Sequence, residues 1–105
     1  MGESFGAFLR SLRKRKKRTQ RDLAGEVGVD FTYLSKVENE TPGFSTVSEG
    51  TLLRLAEALD TDPDEMMTRA GKVPSDVKRM LIDDFSLIKE IRSRKADDSA
   101  GDSDD

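Results

Sequence analysis

Residues 19–39 read TQRDLAGEVGVDFTYLSKVEN, two helix signatures set back to back. Leu23, Ala24 and Val27 return at helical spacing behind Thr19, whose hydroxyl can accept from the free backbone donors of a first turn. Gly28 stands just past that helix, where a left-handed residue is needed to stop it. Asp30 is placed to cap a second helix carrying Leu34 and Val37 on one face. Val29 is apolar in an otherwise polar joint, so it is expected to insert between the helices and set their crossing angle.

Outward from this pair the same signals repeat. Ser4 can cap a helix whose stripe is Phe5, Phe8, Leu9 and Leu12, with Arg10 and Arg13 pointing elsewhere. Residues 40–50, ETPGFSTVSEG, hold Pro42, Gly43 and Gly50 and read as a loop. In it Phe44 is a candidate anchor, and Ser45, Thr46 and Ser48 are candidate phosphate donors beside the plainer reading of a solvated connection. Ser48 or Gly50 then opens a helix with Leu52, Leu55, Ala56 and Leu59 in register. Asp62 and Pro63 start another, on which Met66, Met67 and Ala70 pack before Gly71 stops it. After Pro74, Ser75 is read as the cap of a further helical stretch, which Asp83 and Asp84 interrupt before a last helix from Phe85.

This joint pattern resembles the lambda-repressor-like, Cro-type (XRE) helix-turn-helix family. The Thr-Gln start, Leu-Ala, Gly-Val, Tyr-Leu-Ser and Glu-Asn all stand at that family's spacings. FGAFLRSLR is similar to the family's first helix, and TLLRLAEALDTDPDEM to its fourth and fifth, so the likeness covers residues 4–70. The resemblance implies an all-α, five-helix DNA-binding domain over residues 1–72. Residues 73–95 then form a helical extension, and residues 96–105 an acidic tail read as disordered.

Composition narrows the function. Cysteine and histidine are both absent, which removes disulfides, thiolate nucleophiles, imidazole bases and the zinc sites built on them. Asp60, Asp62 and Asp64 have the opening spacing of a calcium loop, yet Glu65 stands where that loop needs Gly and Gly71 where it needs Glu. No cofactor, metal or catalytic constellation is expected, and the chain is not read as an enzyme. Lacking a signal peptide or an apolar run of the roughly 20 residues that span a bilayer, it is expected in the cytoplasm, associated with the nucleoid.

The net charge of −3 conceals an uneven distribution. Residues 1–45 carry 9 Lys and Arg against 6 Asp and Glu, whereas residues 96–105 carry five Asp and no base. Seven of the nine residues 13–21 are basic. Cations at a helix end suit the negative pole of the dipole, so a solvated terminus is the plain reading of such a run. In the family it resembles, this connection runs close to the phosphate backbone. Arg13, Lys14, Arg15, Lys16, Lys17, Arg18 and Arg21 are therefore candidate phosphate contacts, each displacing roughly one counterion. A membrane-surface role for this basic amphipathic segment conflicts with the need of Phe5, Leu9 and Leu12 to close the core.

The second motif helix is expected in the major groove of double-stranded DNA, its first residues aimed at base edges. With Leu34 and Val37 in the core, Phe31, Thr32, Ser35 and Lys36 remain as readout residues. Lys36 can donate to guanine, Thr32 can hydrogen-bond or touch a thymine methyl, and Phe31 offers thymine an apolar face. Phe31 has a second reading of equal weight, packing onto the turn. The resemblance places Gln20 and Asn39 at phosphates, the alternatives being a good helix former at a first turn for Gln20 and a left-handed helix stop for Asn39. Tyr33 is read as a phosphate contact or a semi-buried packing residue. Glu38 beside DNA requires a partner, for which Arg10 or Arg13 is expected.

Val77, Met80, Leu81, Phe85, Ile88 and Ile91 make a stripe broader than a minimal DNA-binding domain needs; it could fold back on the domain or pair with a second copy, and it is read as a homodimer surface. Two-fold symmetry would set two reading helices about 34 Å apart on successive major grooves. The function expected is a repressor at a palindromic operator. The alternatives are an antitoxin or restriction-controller protein with a protein partner, or an interaction adaptor that has lost DNA binding. For the tail, a solubilising role stands beside competition with DNA for the basic segment.

Overall fold

The computed structural model describes residues 3–44 and 46–103, with residues 97–103 described by backbone alone. Among the described residues seven helices follow in order: α1 (Phe5–Arg15), α2 (Gln20–Val27), α3 (Phe31–Glu38), α4 (Glu49–Ala58), α5 (Pro63–Arg69), α6 (Ser75–Asp83) and α7 (Ser86–Ser103). The chain divides into two compact units after Val73.

In the first unit the helix ends lie where local chemistry puts them. Ser4 Oγ accepts from the Ala7 N–H at 3.2 Å. Thr19 Oγ1 accepts from the Asp22 N–H at 3.0 Å, and the Asp22 carboxylate accepts from the Thr19 N–H at 3.4 Å, which closes a reciprocal capping box. Gly28 takes φ 82° and ends α2, a conformation that costs a residue without Cβ little. Asp30 caps α3, Ser48 caps α4, and Asp62 with Pro63 behind it starts α5.

Three other stops use charged residues where glycine is usual. Lys17, Glu40 and Asp60 have φ of 57°, 59° and 54° at the ends of α1, α3 and α4. In each case the following N–H returns to a carbonyl inside the helix: Arg18 to Arg13 at 3.0 Å, Thr41 to Lys36 at 3.0 Å and Thr61 to Ala56 at 2.9 Å. Glu40, not Asn39, is therefore the left-handed residue after α3; Asn39 itself has φ −88°. A non-glycine residue there costs of order 1 kcal/mol, and at Glu40 a contact offsets it. Its carboxylate accepts from the Gly6 N–H in the first turn of α1. Gly6 lies so close to the end of α3 that an added Cβ would meet the Glu38 and Val37 carbonyls. The absence of a side chain lets α1 and α3 touch.

The core is made by Phe8, Leu9 and Leu12 of α1, Leu23, Ala24 and Val27 of α2, and Leu34 and Val37 of α3, joined by Leu52, Leu55, Ala56, Leu59, Met66 and Met67. Val29 and Phe44 pack against it half-buried, while Val47 in the loop before α4 is 1% exposed. Sequence reading chose Phe44 as the loop's anchor; the deeper one is Val47.

In the second unit α6 ends at Asp84, whose extended backbone (φ −141°) breaks the helix. The Asp84 carboxylate then accepts from the Ser86 N–H at 3.1 Å and from its hydroxyl at 2.6 Å, which starts α7. The α6 helix begins at Ser75, with Pro74 rather than Ser75 in the cap position. The tail expected to be disordered from Ala96 is instead helical through Ser103. Once the preceding turns have met the cost of nucleation, each further residue adds one hydrogen bond, so a polar continuation is cheap. Asp104 and Asp105, the end of that tail, lie outside the described residues, as does Ser45.

Candidate nucleic-acid interface

The exposed face of α3 is set by which of its residues the core takes. Leu34 and Val37 are 1% and 4% exposed. Thr32 and Lys36 lie in solvent, and Phe31, Tyr33 and Ser35 are half-buried. Thr32 Oγ1 donates to the Asp30 carboxylate at 3.1 Å, so the cap also orients the threonine methyl.

Beneath the helix lies a buried ionic cluster. Glu38 is 3% exposed and Arg13 8%. Arg13 Nε donates to Glu38 Oε2 at 2.7 Å and Nη2 to Oε1 at 2.9 Å, a bidentate fork, while Nη1 reaches the Arg18 carbonyl at 3.0 Å. Gln20 Nε2 donates to Glu38 Oε1 at 3.0 Å, and Arg10 Nε approaches it at 3.5 Å while Nη2 binds the Asn39 amide oxygen. Burial pushes the Glu38 carboxyl up, but hydrogen bonds from Arg13 and Gln20, the Arg13 charge and the Arg10 contact outweigh it and hold the group below the usual carboxylate range. The same hydrogen bond raises Arg13 against its own desolvation.

This cluster corrects one assignment made from sequence. Arg13 is a buried strut between α1 and α3, with its donors spent on Glu38 and the Arg18 carbonyl. Half-buried Gln20 gives one amide N–H to Glu38, which leaves its second amide N–H and the backbone N–H at the first turn of α2 for an anion. The expectation that Glu38 pairs with Arg10 or Arg13 holds for both.

The remaining cations differ in how committed they are. Arg18 is bonded to Glu26, and the Lys16 ammonium lies 3.7 Å from Asp60 at the surface. Lys14, Arg15, Lys17 and Arg21 are exposed and make no ion pair with a carboxylate among the described residues. Lys17 sits at the left-handed stop of α1, three residues before the start of α2. The Arg21 guanidinium instead lies 4.3 Å from the centroid of the Phe31 ring. Arg13, Arg18, Thr19, Gln20, Arg21 and Phe31 line one shallow polar cavity of about 430 Å³.

A second cation on an aromatic ring stands at the other end of α3. Lys36 Nζ is 5.0 Å from the Phe44 centroid, and Tyr33 meets the same ring edge-on at 6.1 Å. Phe44 thus ties the loop to α3, and the seven residues between Lys36 and Phe44 hid the link from periodicity arguments. Arg54 was also missed; its Nε donates to the Val27 carbonyl at 2.9 Å and satisfies the end of α2.

The model of the helix-turn-helix domain matches residues 4–68. The chain belongs to this helix-turn-helix family. The resemblance read from residues 4–70 therefore rests on the same segment as the match. The HTH-type transcriptional repressor RghR of Bacillus subtilis is 38% identical over 71 residues, 68% of this chain but 51% of RghR, so the chain spans about half the length of that curated relative. Among solved structures, the restriction-modification controller protein C.AhdI from Aeromonas hydrophila is 42% identical with a TM-score of 0.52, covering 59% of this chain and 89% of its own. The clp gene regulator ClgR from Corynebacterium glutamicum is 30% identical with a TM-score of 0.54, covering 84% and 88%. The SinR protein/SinI protein complex contains a chain with a TM-score of 0.55, covering 90% of this one and 98% of its own; at 19% identity that likeness shows the fold alone. Among the described residues no helix is long and apolar enough to cross a membrane.

Proposed function

We propose that this helix-turn-helix chain is a sequence-specific regulator of transcription that binds double-stranded DNA as a homodimer and represses at a palindromic operator. The observation that carries the reading is the outer face of α3. Thr32 and Lys36 project from it, Phe31 and Ser35 flank them, and its one carboxylate, Glu38, is buried and neutralised beneath. Lys14, Lys16, Lys17, Arg18, Tyr33, Asn39 and the first turn of α2 supply the phosphate contacts around it. Similarity to regulators named as repressor, restriction-modification controller and gene regulator supports the same assignment.

Residues 1–72 act as the DNA-binding domain and residues 73–95 as the dimerisation element. Val77, Met80, Phe85, Ile88 and Ile91 are 36%, 53%, 70%, 36% and 51% exposed, with Leu81 partly covered. So much apolar surface on a short helical pair is best accounted for by a second copy. A controller-type protein that grips a protein partner through this same stripe is the second reading, favoured by the likeness to C.AhdI.

Selection of bound sites from a random duplex pool tests the proposal. A two-fold symmetric site is expected. Lys36→Ala and Thr32→Ala should each relax one base preference by about 1–3 kcal/mol. Lys17→Ala should weaken all sequences alike and reduce the salt slope by about 1. Equal losses on selected and random duplex for all three variants would contradict the division between base and backbone contacts. A monomer by sedimentation, with or without DNA, would contradict the dimer.

A further inference from the structure

We propose that Arg21 and Phe31 act as one reading unit, in which the Phe31 ring holds the Arg21 guanidinium so that it reads a guanine beside the thymine touched by the ring. The inference rests on the operator-binding reading above and moves Arg21 from the phosphate contacts to the base contacts.

Four observations carry it. Phe31 is the first residue of α3, the end of a reading helix that faces base edges. Its ring is half-buried against the core, so it is a fixed platform. Arg21 is exposed, lies 4.3 Å from the ring centroid and makes no ion pair among the described residues, unlike Arg13, Lys16 and Arg18. Both residues line the same open polar cavity at the junction of α2 and α3.

The chemistry follows from the shapes of the groups. A guanidinium held over an aromatic face keeps its N–H donors at its edge, and a planar fork of donors matches guanine O6 and N7 bidentately. The ring's exposed edge has no donor or acceptor and suits the thymine C5-methyl. Fixing the side chain over the ring before binding also reduces the rotamer entropy lost when it meets a base. A lysine at the same position would keep the charge but lose both the fork and most of the stacking.

Sites selected by the wild-type chain, Arg21→Lys and Phe31→Leu test the inference, followed by affinities at one salt concentration for the winning duplex and for the same duplex with the guanine pair replaced by an adenine pair. The wild-type site is expected to contain guanine next to thymine in each half. Arg21→Lys should lower discrimination for that guanine about tenfold, and Phe31→Leu, which keeps an apolar contact and an intact Arg21, should lower it about fivefold. Circular dichroism melting confirms that each variant remains folded, and Arg21→Lys, changed only at an exposed site, carries the test if Phe31→Leu does not. If the guanine preference survives Arg21→Lys, or if the selected site has no guanine beside thymine, Arg21 is a backbone contact and the inference is overturned. A wild-type chain that enriches no sequence removes the operator reading itself, and this inference with it.

Discussion

Glu38→Ala is expected to cost about 3–5 kcal/mol of folding stability, read as a fall in the urea midpoint with little change in slope. Glu38 accepts from Arg13, Arg10 and Gln20, groups that come from α1 and the start of α2. Removing the carboxylate leaves Arg13, a residue only 8% exposed in the intact chain, with no counter-charge, and an unpaired buried charge is far more costly than an unmade surface pair. The effect has a pH signature. The folded carboxyl titrates below its ordinary value of 4.5, so its contribution is complete above that pH and is lost as pH falls through the lower folded value. Wild-type stability should drop below about pH 4.5, and Glu38→Gln, with no carboxyl to protonate, should lack that part of the drop. A Glu38→Ala change of less than about 1 kcal/mol, the range of exposed pairs, would mean that Arg13 finds water or another partner and that the cluster is not a strut.

The second large effect is at Leu34. Its side chain is 1% exposed on the inner face of α3, and Leu34→Ala should cost about 2–5 kcal/mol through lost burial and the cavity left behind. Lys36→Ala, two residues on and facing solvent, should stay within about 0.5 kcal/mol. The contrast separates holding the helix from reading with it. Under conditions where Leu34→Ala remains mostly folded, its preference for the selected duplex over random duplex should shrink, because a loosened α3 no longer fixes where Thr32 and Lys36 point. Comparable stability losses for Leu34→Ala and Lys36→Ala would contradict the assignment of faces.

What sequence revealed and what it hid follow from the range of the interactions. Thr19, Gly28 and Asp30 act on residues within four positions of themselves, so their capping and stopping roles were legible from spacing alone. The stripes Leu23, Ala24, Val27 and Leu34, Val37 were legible for the same reason. Glu38 was a partial success, since a carboxylate beside a basic helix demanded a partner, but nothing local indicated that Gln20 would join it. Glu40 was invisible. A left-handed Glu makes sense only once its carboxylate is seen at Gly6, 34 residues earlier. The Arg21–Phe31 and Lys36–Phe44 pairs likewise depend on how helices and loop are folded together, and no periodicity encodes them. In the tail, composition argued for disorder on its own terms, while the helix it extends had already been nucleated upstream.

The central claim is that the outward face of α3, with the basic residues at the start of α2, meets DNA. Titrating isotope-labelled chain with the selected duplex and following backbone amide shifts tests this most directly. The account predicts shifts concentrated at residues 17–21 and 31–36, saturating at one duplex per dimer, with α5 unmoved. Shifts confined to α5 or to the second unit, with α3 silent at saturating duplex, would contradict it.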